Sequence, residues 1–313
     1  MLTVLRRLAG VVPLLFIISL LVFGLLELIP GDAAVVLSSD SSSTTEQVEQ
    51  LREDLGLNEP LVARYGTWAA DALRGDFGDS LVSGQSVRSL IAKSLPTTFS
   101  LALVAGAFAF LAAVIAAFVA AVKPHGLLDR AITLLSSVAL AVPPFVAALL
   151  LVWLFAGRVK WLPAIGYVPL TEDPVLWAKH IIMPAVAVAF VPASELARQA
   201  RAAVMDVVQA DYVRTARSRG LSSAKVLLKH VGKNAAIPFV TVLGTTLGRV
   251  FSGVVTVEVV FALPGFGLLS YNAVLNRDVI MIQGVVMVSA LIVMTANLAV
   301  DLSYLYFDPV SRR

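Results

Sequence analysis

Six long apolar runs alternate with polar segments along the chain. They lie at residues 8–29, 97–122, 131–157, 180–197, 236–257 and 279–300. A helix needs about 20 apolar residues to cross roughly 30 Å of hydrocarbon, and the runs have about that length. The pattern therefore predicts an all-α, polytopic membrane protein with six transmembrane helices.

The composition supports this prediction and excludes a soluble globule. Hydrophobic residues make up 58% of the 313 residues and charged residues 14%, with a mean hydropathy of +0.86. Soluble domains have about 45–50% apolar and about 25% charged residues. The chain has no cysteine, and its three histidines (His125, His180 and His230) lie far apart. We therefore expect no disulfide and no metal site.

Basic residues indicate the orientation, because cytoplasmic loops are enriched in lysine and arginine. An N-terminus in the cytoplasm puts Arg6, Arg7, Arg312 and Arg313 on that side, together with seven basic residues from the segment 201–233. We therefore predict that both termini are cytoplasmic. The net charge of +3 is typical of basic cytoplasmic loops, and we expect no nucleic-acid partner.

The predicted spans divide the chain into four parts. An N-terminal tail and the first span occupy residues 1–29, and an extracytoplasmic helical insert occupies residues 30–95. The core transmembrane domain, residues 96–305, holds spans two to six and a cytoplasmic loop at residues 199–235. Residues 306–313 form a cytoplasmic C-terminal tail.

The extracytoplasmic insert contains two helical patterns. One covers residues 46–55, and the second begins at Pro60 and closes before Gly75. Two interpretations of the insert remain open. It is either a solvated loop of amphipathic helices or a docking surface for an external partner.

The pattern of the cytoplasmic loop predicts a helical hairpin. Good helix formers run from Asp211 to Arg219, and Gly220 is placed to stop this helix in a left-handed conformation. Ser222 or Ser223 can then cap a second helix. The loop is either a solvated connection or a protruding hairpin with a function of its own.

The amino-acid sequence of this loop favours the interpretation as a hairpin with a function of its own. The segment DYVRTARSRGL, residues 211–221, resembles the coupling motif of permease subunits from ATP-binding-cassette (ABC) importers of the peptide/nickel branch. In the general motif a Glu-Ala-Ala triplet precedes a glycine. Arg214, Thr215 and Ala216 stand at the triplet, and Gly220 keeps the glycine. The arginine departs from the motif, and so does the segment 230–233, where the motif has Ile-x-Leu-Pro.

The resemblance extends over nearly the whole chain. Matching motifs follow in order: IPGD at 29–32, GDFGDS at 75–80, LPTTFSL at 95–101, VEVVFALPGFGLL at 257–269 and NLAVDLSYLYFDP at 297–309. A single motif of this kind is weak evidence, whereas this many in order is strong. The chain thus looks like the first-permease (B-type) subunit of such an importer.

The resemblance implies a type I ABC importer permease fold in the bacterial inner membrane. It also implies partners: a second homologous permease that completes a heterodimer, two cytoplasmic ATP-binding subunits, an extracytoplasmic substrate-binding protein and membrane lipid. No Gly-x-x-x-x-Gly-Lys-Ser/Thr loop occurs in the sequence. We therefore expect this chain to be non-catalytic and to bind no cofactor, with ATP and Mg used by the partner subunits.

The motifs single out three groups of candidate site residues. The residues expected to couple to an ATPase are Asp211, Tyr212, Arg214, Thr215, Ala216, Arg219 and Gly220. The candidates for the translocation path or for gating are Arg249, Pro143 and Pro144. The candidates for docking of the binding protein are Gly75, Asp76, Phe77, Gly78, Pro264 and Gly265.

The intramembrane candidates have alternative interpretations. An ionisable side chain inside a span is costly and tends to face a bundle interior or a water-filled cavity. Arg249 therefore either lines the path, or pairs with Glu258 or another subunit, or hydrogen-bonds to backbone carbonyls. The prolines of spans three and four are expected to bend these helices, either for gating or as static shaping of the bundle.

Dipeptides or short oligopeptides are the first cargo that the resemblance implies. Nickel chelates, glutathione, haem and opines remain open within the same architecture. A self-sufficient secondary transporter is less favoured, because it needs coupling-ion carboxylates within its spans and the third span has none. A membrane-embedded enzyme is also disfavoured, because neither His-Glu-x-x-His nor Gly-x-Ser-x-Gly occurs.

Overall fold

The computed structural model describes the backbone of residues 2–27, 59–208 and 253–307. Side chains are described for residues 12–24, 59–208 and 253–299. Within these ranges every regular element is a helix, and an isolated bridge joins Asp79 to Ser86. The predicted all-α class is therefore confirmed.

Nine α-helices are described in chain order. They are α1 (Leu2–Glu27), α2 (Leu61–Leu73), α3 (Val87–Val122), α4 (Leu127–Ala141), α5 (Pro144–Leu151), α6 (Pro174–Val208), α7 (Gly253–Phe261), α8 (Phe266–Leu275) and α9 (Val279–Phe307). A π-helical turn, Val152–Arg158, continues α5.

Several of these helices are long and apolar enough to cross a membrane. By length and composition α3, α6 and α9 qualify alone, and the number rises to five if each of two bent helix pairs is one span. Their outer faces carry exposed apolar side chains such as Leu103, Leu149 and Trp153. Such surfaces face lipid rather than water. The count of six spans and the side on which the termini lie stay predictions.

Pro143 and Pro144 break the predicted third span. α4 ends at Ala141 and α5 begins at Pro144, and the helices on the two sides of this break are bent by 106°. A proline ring disfavours the helical conformation of the residue before it, and Pro143 is accordingly extended, with φ −60° and ψ 144°. The expected bend is thus confirmed. Pro184 and Pro192, in contrast, lie inside α6, which continues from Pro174 to Val208.

The helices extend beyond the apolar runs that predicted them. α3 begins at Val87 and not at residue 97, and α6 begins at Pro174 and not at residue 180. The added residues include charged side chains, Arg88 and Lys93 in α3 and Lys179 in α6, which interrupt the apolar runs. The second helical pattern of the insert is confirmed as α2, whereas its first pattern, residues 46–55, lies outside the described residues.

The described residues divide into two compact units. The first takes its residues from Met1–Lys93 and Leu269–Met294. Within it α2 packs on α1 through aromatic rings: Tyr65 lies edge-on to Phe23 with centroids 5.6 Å apart, and Trp68 lies 5.8 Å from Phe23. A hydrogen bond of 2.8 Å between the Tyr65 and Ser19 hydroxyls fixes the register of the two helices.

The second unit takes its residues from Ser94–Leu268 and Thr295–Arg313. Its core joins Leu101 of α3, Ile181 and Val188 of α6, and Phe261 of α7. A stripe of small residues lines the buried face of α3: Ala105, Ala109, Ala113, Ala116 and Ala120. Small residues at this spacing let helix backbones approach closely in a membrane. The unit is therefore held by close helix packing.

Candidate functional site

The residues expected to couple to an ATPase, Asp211 to Gly220, lie outside the described residues, and so does Arg249. The other candidates, Pro143, Pro144 and the six docking residues, are described. The structure also shows three polar clusters that fix helix ends: around Glu258, around Asp278 and around Asp129. These clusters supply the geometry from which a function is argued.

A fully buried carboxylate, Glu258, caps the start of α8. Its Oε2 accepts the backbone N–H groups of Gly267 and Leu268 at 2.7 and 3.1 Å. Its Oε1 accepts the hydroxyl of Thr98 at 2.6 Å. That hydroxyl in turn accepts the N–H of Phe266 at 2.7 Å. The first N–H groups of a helix have no partner within the helix, so this pair of side chains satisfies three of them.

The chain reverses between α7 and α8 in a left-handed turn. Leu263 N–H donates to the Glu258 carbonyl at 2.9 Å, and Ala262 N–H donates to the Val259 carbonyl at 3.3 Å. This pair of bonds is a Schellman cap, and it places Ala262 at φ +50°. The helix α7 ends at Phe261, so Pro264 comes after this cap.

The glycines of this turn are required for space. A Cβ on Gly265 would lie on the Glu258 carboxylate, and a Cβ on Gly267 would lie 2.6 Å from the Val255 Cα. Gly265 is therefore buried by its contact with Glu258, whereas Pro264 beside it is exposed. Of the two docking candidates in this turn, only Pro264 presents a surface to a partner.

The other docking candidates lie in a loop that follows α2. Gly75 ends α2 with φ +79°, and Gly78 has φ +83° and donates its N–H to the Asp76 carboxylate at 3.0 Å. Asp76 and Gly78 are exposed. Phe77 is half-buried and packs close to the Cα of Gly284, where a Cβ would lie 3.3 Å from it. The loop thus exposes Asp76 and Gly78, while Phe77 anchors it by packing near Gly284.

A buried carboxylate, Asp278, ties this loop to the start of α9. Its Oδ2 accepts the Ser80 hydroxyl at 2.5 Å, and its Oδ1 accepts the Leu81 N–H at 3.2 Å. The same Oδ1 also accepts the N–H of Met281 at 3.1 Å, which caps α9. Asp278 therefore fixes the GDFGDS loop to α9 within the first unit.

A third carboxylate, Asp129 in the first turn of α4, holds Arg201 of α6. Arg201 Nε donates to Asp129 Oδ1 at 2.6 Å, and Arg201 Nη2 donates to Oδ2 at 2.8 Å. Asp129 is 2% exposed and Arg201 26%. The backbone N–H of His125 also donates to Oδ2, at 2.9 Å. One carboxylate thus joins α6 to α4 and to the turn before α4.

Reasoning from sequence missed two of these three centres. Neither Asp278 nor Asp129 is among the candidate residues that the sequence singles out. The available signal was a single acidic residue beside an otherwise uncharged span, because a carboxylate there needs a partner. Glu258 was considered as a partner of Arg249, whereas its described partners are Thr98 and the backbone of α8.

The fold and these centres define a class: a polytopic helical membrane protein whose polar groups fix helix ends. Among the described residues no group of three or more His, Cys, Asp or Glu residues could hold a metal ion. Residues 109–313 match the family described as "Binding-protein-dependent transport system inner membrane component", and residues 1–102 match its N-terminal family. The chain belongs to this family and lies in the bacterial inner membrane as a multi-pass protein. The resemblance found from the motifs is confirmed.

Relatives of this chain match it over nearly its whole length. A putative peptide transport system permease protein of Brucella abortus is 37% identical and covers 98% of this chain and 97% of the relative. The dipeptide transport system permease protein DppB of Alkalihalophilus pseudofirmus is 33% identical, covering 97% of each. The glutathione transport system permease protein GsiC of Escherichia coli is 34% identical, covering 99% and 98%.

A solved structure shows the same fold. The MetNI methionine ABC transporter, in inward-facing conformations, superposes with a TM-score of 0.56 at 17% identity. The match covers 70% of this chain and 96% of that chain. The expected ABC importer permease fold is confirmed.

Proposed function

We propose that this chain is a permease subunit of an ATP-driven importer of dipeptides or short oligopeptides. The observation that carries the proposal is 37% identity over 306 residues to a peptide permease, supported by a dipeptide relative. Glutathione is a second candidate cargo, because a glutathione permease is 34% identical over 309 residues. Glutathione is itself a short peptide, so the two candidate cargoes belong to one chemical class.

The chain works, in this proposal, as one half of a heterodimer. A second homologous permease completes the translocation path, two cytoplasmic ATP-binding subunits supply the energy and an external binding protein delivers the cargo. Both termini and the loop 199–235 face the cytoplasm. The chain itself catalyses no reaction and binds no cofactor, and ATP and Mg act in the partner subunits. The absence of a phosphate-binding Gly-x-x-x-x-Gly-Lys-Ser/Thr loop from the sequence supports this division.

Energy enters through the segment that follows α6. α6 is described as far as Val208, and the coupling motif begins three residues later at Asp211. A helix that runs without a break towards this motif is a rigid lever. We assign Asp211, Tyr212, Arg214, Thr215, Ala216, Arg219 and Gly220 to ATPase contact.

The remaining candidates keep roles in gating and docking. The break at Pro143 and Pro144 is a point at which one half of the span can move against the other. In the first unit, Asp76 and Gly78 are exposed and suit contact with a binding protein, whereas Phe77 packs beneath them and Gly75 ends α2. In the second unit, Pro264 is exposed and is assigned to the same role, and Gly265 packs on Glu258. Arg249 is assigned to the translocation path.

Co-purification tests the proposal. The tagged chain, expressed with its neighbouring transport genes, is expected to bring down a Walker-motif ATPase and a second permease. Replacing residues 211–220 by a Gly-Ser linker of equal length is expected to release the ATPase and keep the second permease. The same replacement of residues 38–45, in the serine-rich linker of the insert, is the control and should keep both. Uptake by the chain alone, without an ATPase, would contradict the proposal.

A further inference from the structure

The ion pair between Asp129 and Arg201 joins α4 to α6 shortly before the coupling segment begins. Arg201 is on α6, seven residues before the last described residue of that helix, Val208. At a rise of about 1.5 Å per residue, this distance is roughly 10 Å along the helix axis. Arg201 therefore lies two turns of helix before Val208, and the coupling motif begins three residues after Val208 in the sequence.

The geometry of the pair fixes orientation as well as distance. Both Arg201 nitrogens donate to separate oxygens of Asp129, at 2.6 and 2.8 Å. Such two-point bonding holds the guanidinium and the carboxylate in one plane. The α6 helix thus cannot rotate about its axis without turning Asp129 or breaking both bonds.

A contribution to stability does not by itself explain why an ion pair occupies this position. Two charges lose hydration when they are buried, and a well-packed apolar pair often stabilises a fold equally well. An apolar contact, however, has no direction and can slide. A partly buried pair with two parallel hydrogen bonds supplies what an apolar contact lacks, which is a stiff link between two elements.

Asp129 also holds the elements on its own side. It accepts the N–H of His125, which has φ +58° in the tight turn between α3 and α4. It lies at the start of α4, whose other end meets the break at Pro143 and Pro144. A displacement of Asp129 is therefore transmitted to the turn before α4 and to α4 itself.

The surroundings leave the pair room to move. A cavity of about 320 Å³ opens beside it, lined by His125, Arg130 and Ser137 among others. A close-packed contact has no such space on one side. The hydrogen bonds therefore hold Asp129 and Arg201 firmly to each other, while the pair as a whole has space to shift towards the cavity.

We infer that Asp129 and Arg201 are positioning residues that transmit the displacement of the coupling segment from α6 to α4, and so to the break at Pro143 and Pro144. The inference rests on the proposed function. It adds a second element to the coupling path, because the motion spreads from α6 into the helix pair that α6 packs against.

A double-mutant cycle in the reconstituted complex tests this inference. Uptake per ATP hydrolysed is measured for Asp129→Asn, for Arg201→Met and for the double variant. Each single change is expected to lower this ratio by about fivefold or more, a typical size for coupling between sites. The double variant should fall by the same factor, because both changes break one link. Arg198→Met, an exposed arginine one turn earlier on α6, is the matched control and should keep the ratio.

The outcomes separate the inference from the proposed function. A wild-type complex without ATP-driven uptake refutes the proposed function. A working wild-type complex whose single variants keep the wild-type ratio refutes the inference alone, and so do losses that multiply in the double variant. If the complex with Asp129→Asn does not assemble, the uptake ratio of the Arg201→Lys complex tests the inference instead. This substitution keeps the charge and loses the two-point bond, so an unchanged ratio contradicts the inference and a reduced ratio supports it.

Discussion

Gly267→Ala, in the first turn of α8, is expected to destabilise the complex. Its Cβ would lie 2.6 Å from the Val255 Cα and 2.8 Å from Glu258 Oε2. The first contact is with backbone, which cannot rotate away, so the start of α8 must shift and its capping bonds must lengthen. Overpacking of this kind costs roughly 1–3 kcal/mol and sometimes more, and we expect a value at the upper end.

Thermal unfolding of the purified complex measures this effect. Gly253→Ala on α7 is the matched control, because its added Cβ would meet only the Val188 Cγ1, at an ordinary 3.9 Å. We expect a clearly lower melting temperature and a lower yield for Gly267→Ala, and wild-type behaviour for Gly253→Ala. Equal melting temperatures for the two variants would show that the start of α8 can shift without a loss of stability.

Gly220→Val is expected to abolish uptake while ATP hydrolysis continues. The sequence predicts that Gly220 ends the first helix of the coupling hairpin in a left-handed conformation. A β-branched residue strongly disfavours that conformation, so the hairpin should no longer transmit the motion of the ATPase. The measurement is uptake and ATPase activity in the same proteoliposomes.

The control for this substitution is the same exchange at another glycine. Gly66 lies on the exposed side of α2, and nothing lies within 4 Å of an added Cβ there. Gly66→Val should retain both uptake and ATPase activity. Full uptake by a Gly220→Val complex would remove Gly220 from the coupling path.

Much of the helical architecture could be predicted from the sequence, because its signals are local. Apolar runs mark the membrane helices, Pro143 and Pro144 mark a break, and Pro60 and Gly75 bracket α2. Helix limits were less accurate where polar turns extend an apolar run, as at Val87. The left-handed residue that ends α7 is an alanine, and no local preference of alanine predicts that conformation.

The polar centres could not be predicted, because they depend on contacts between distant segments. Thr98 bonds to Glu258 across 160 positions, and Ser80 bonds to Asp278 across 198. The partner of Asp129 is 72 positions away. Each centre is recognisable only when the fold brings its members together. The coupling motif, in contrast, was found from a short contiguous segment.

ATP-driven uptake of a labelled dipeptide into proteoliposomes tests the central claim most directly. The vesicles contain this chain, the second permease and the ATPases, with the binding protein outside and ATP on the side of the ATPases. The account predicts uptake that requires ATP and the binding protein and that stops when this chain is omitted. Uptake of the dipeptide by this chain alone, or an undiminished rate in its absence, would contradict it.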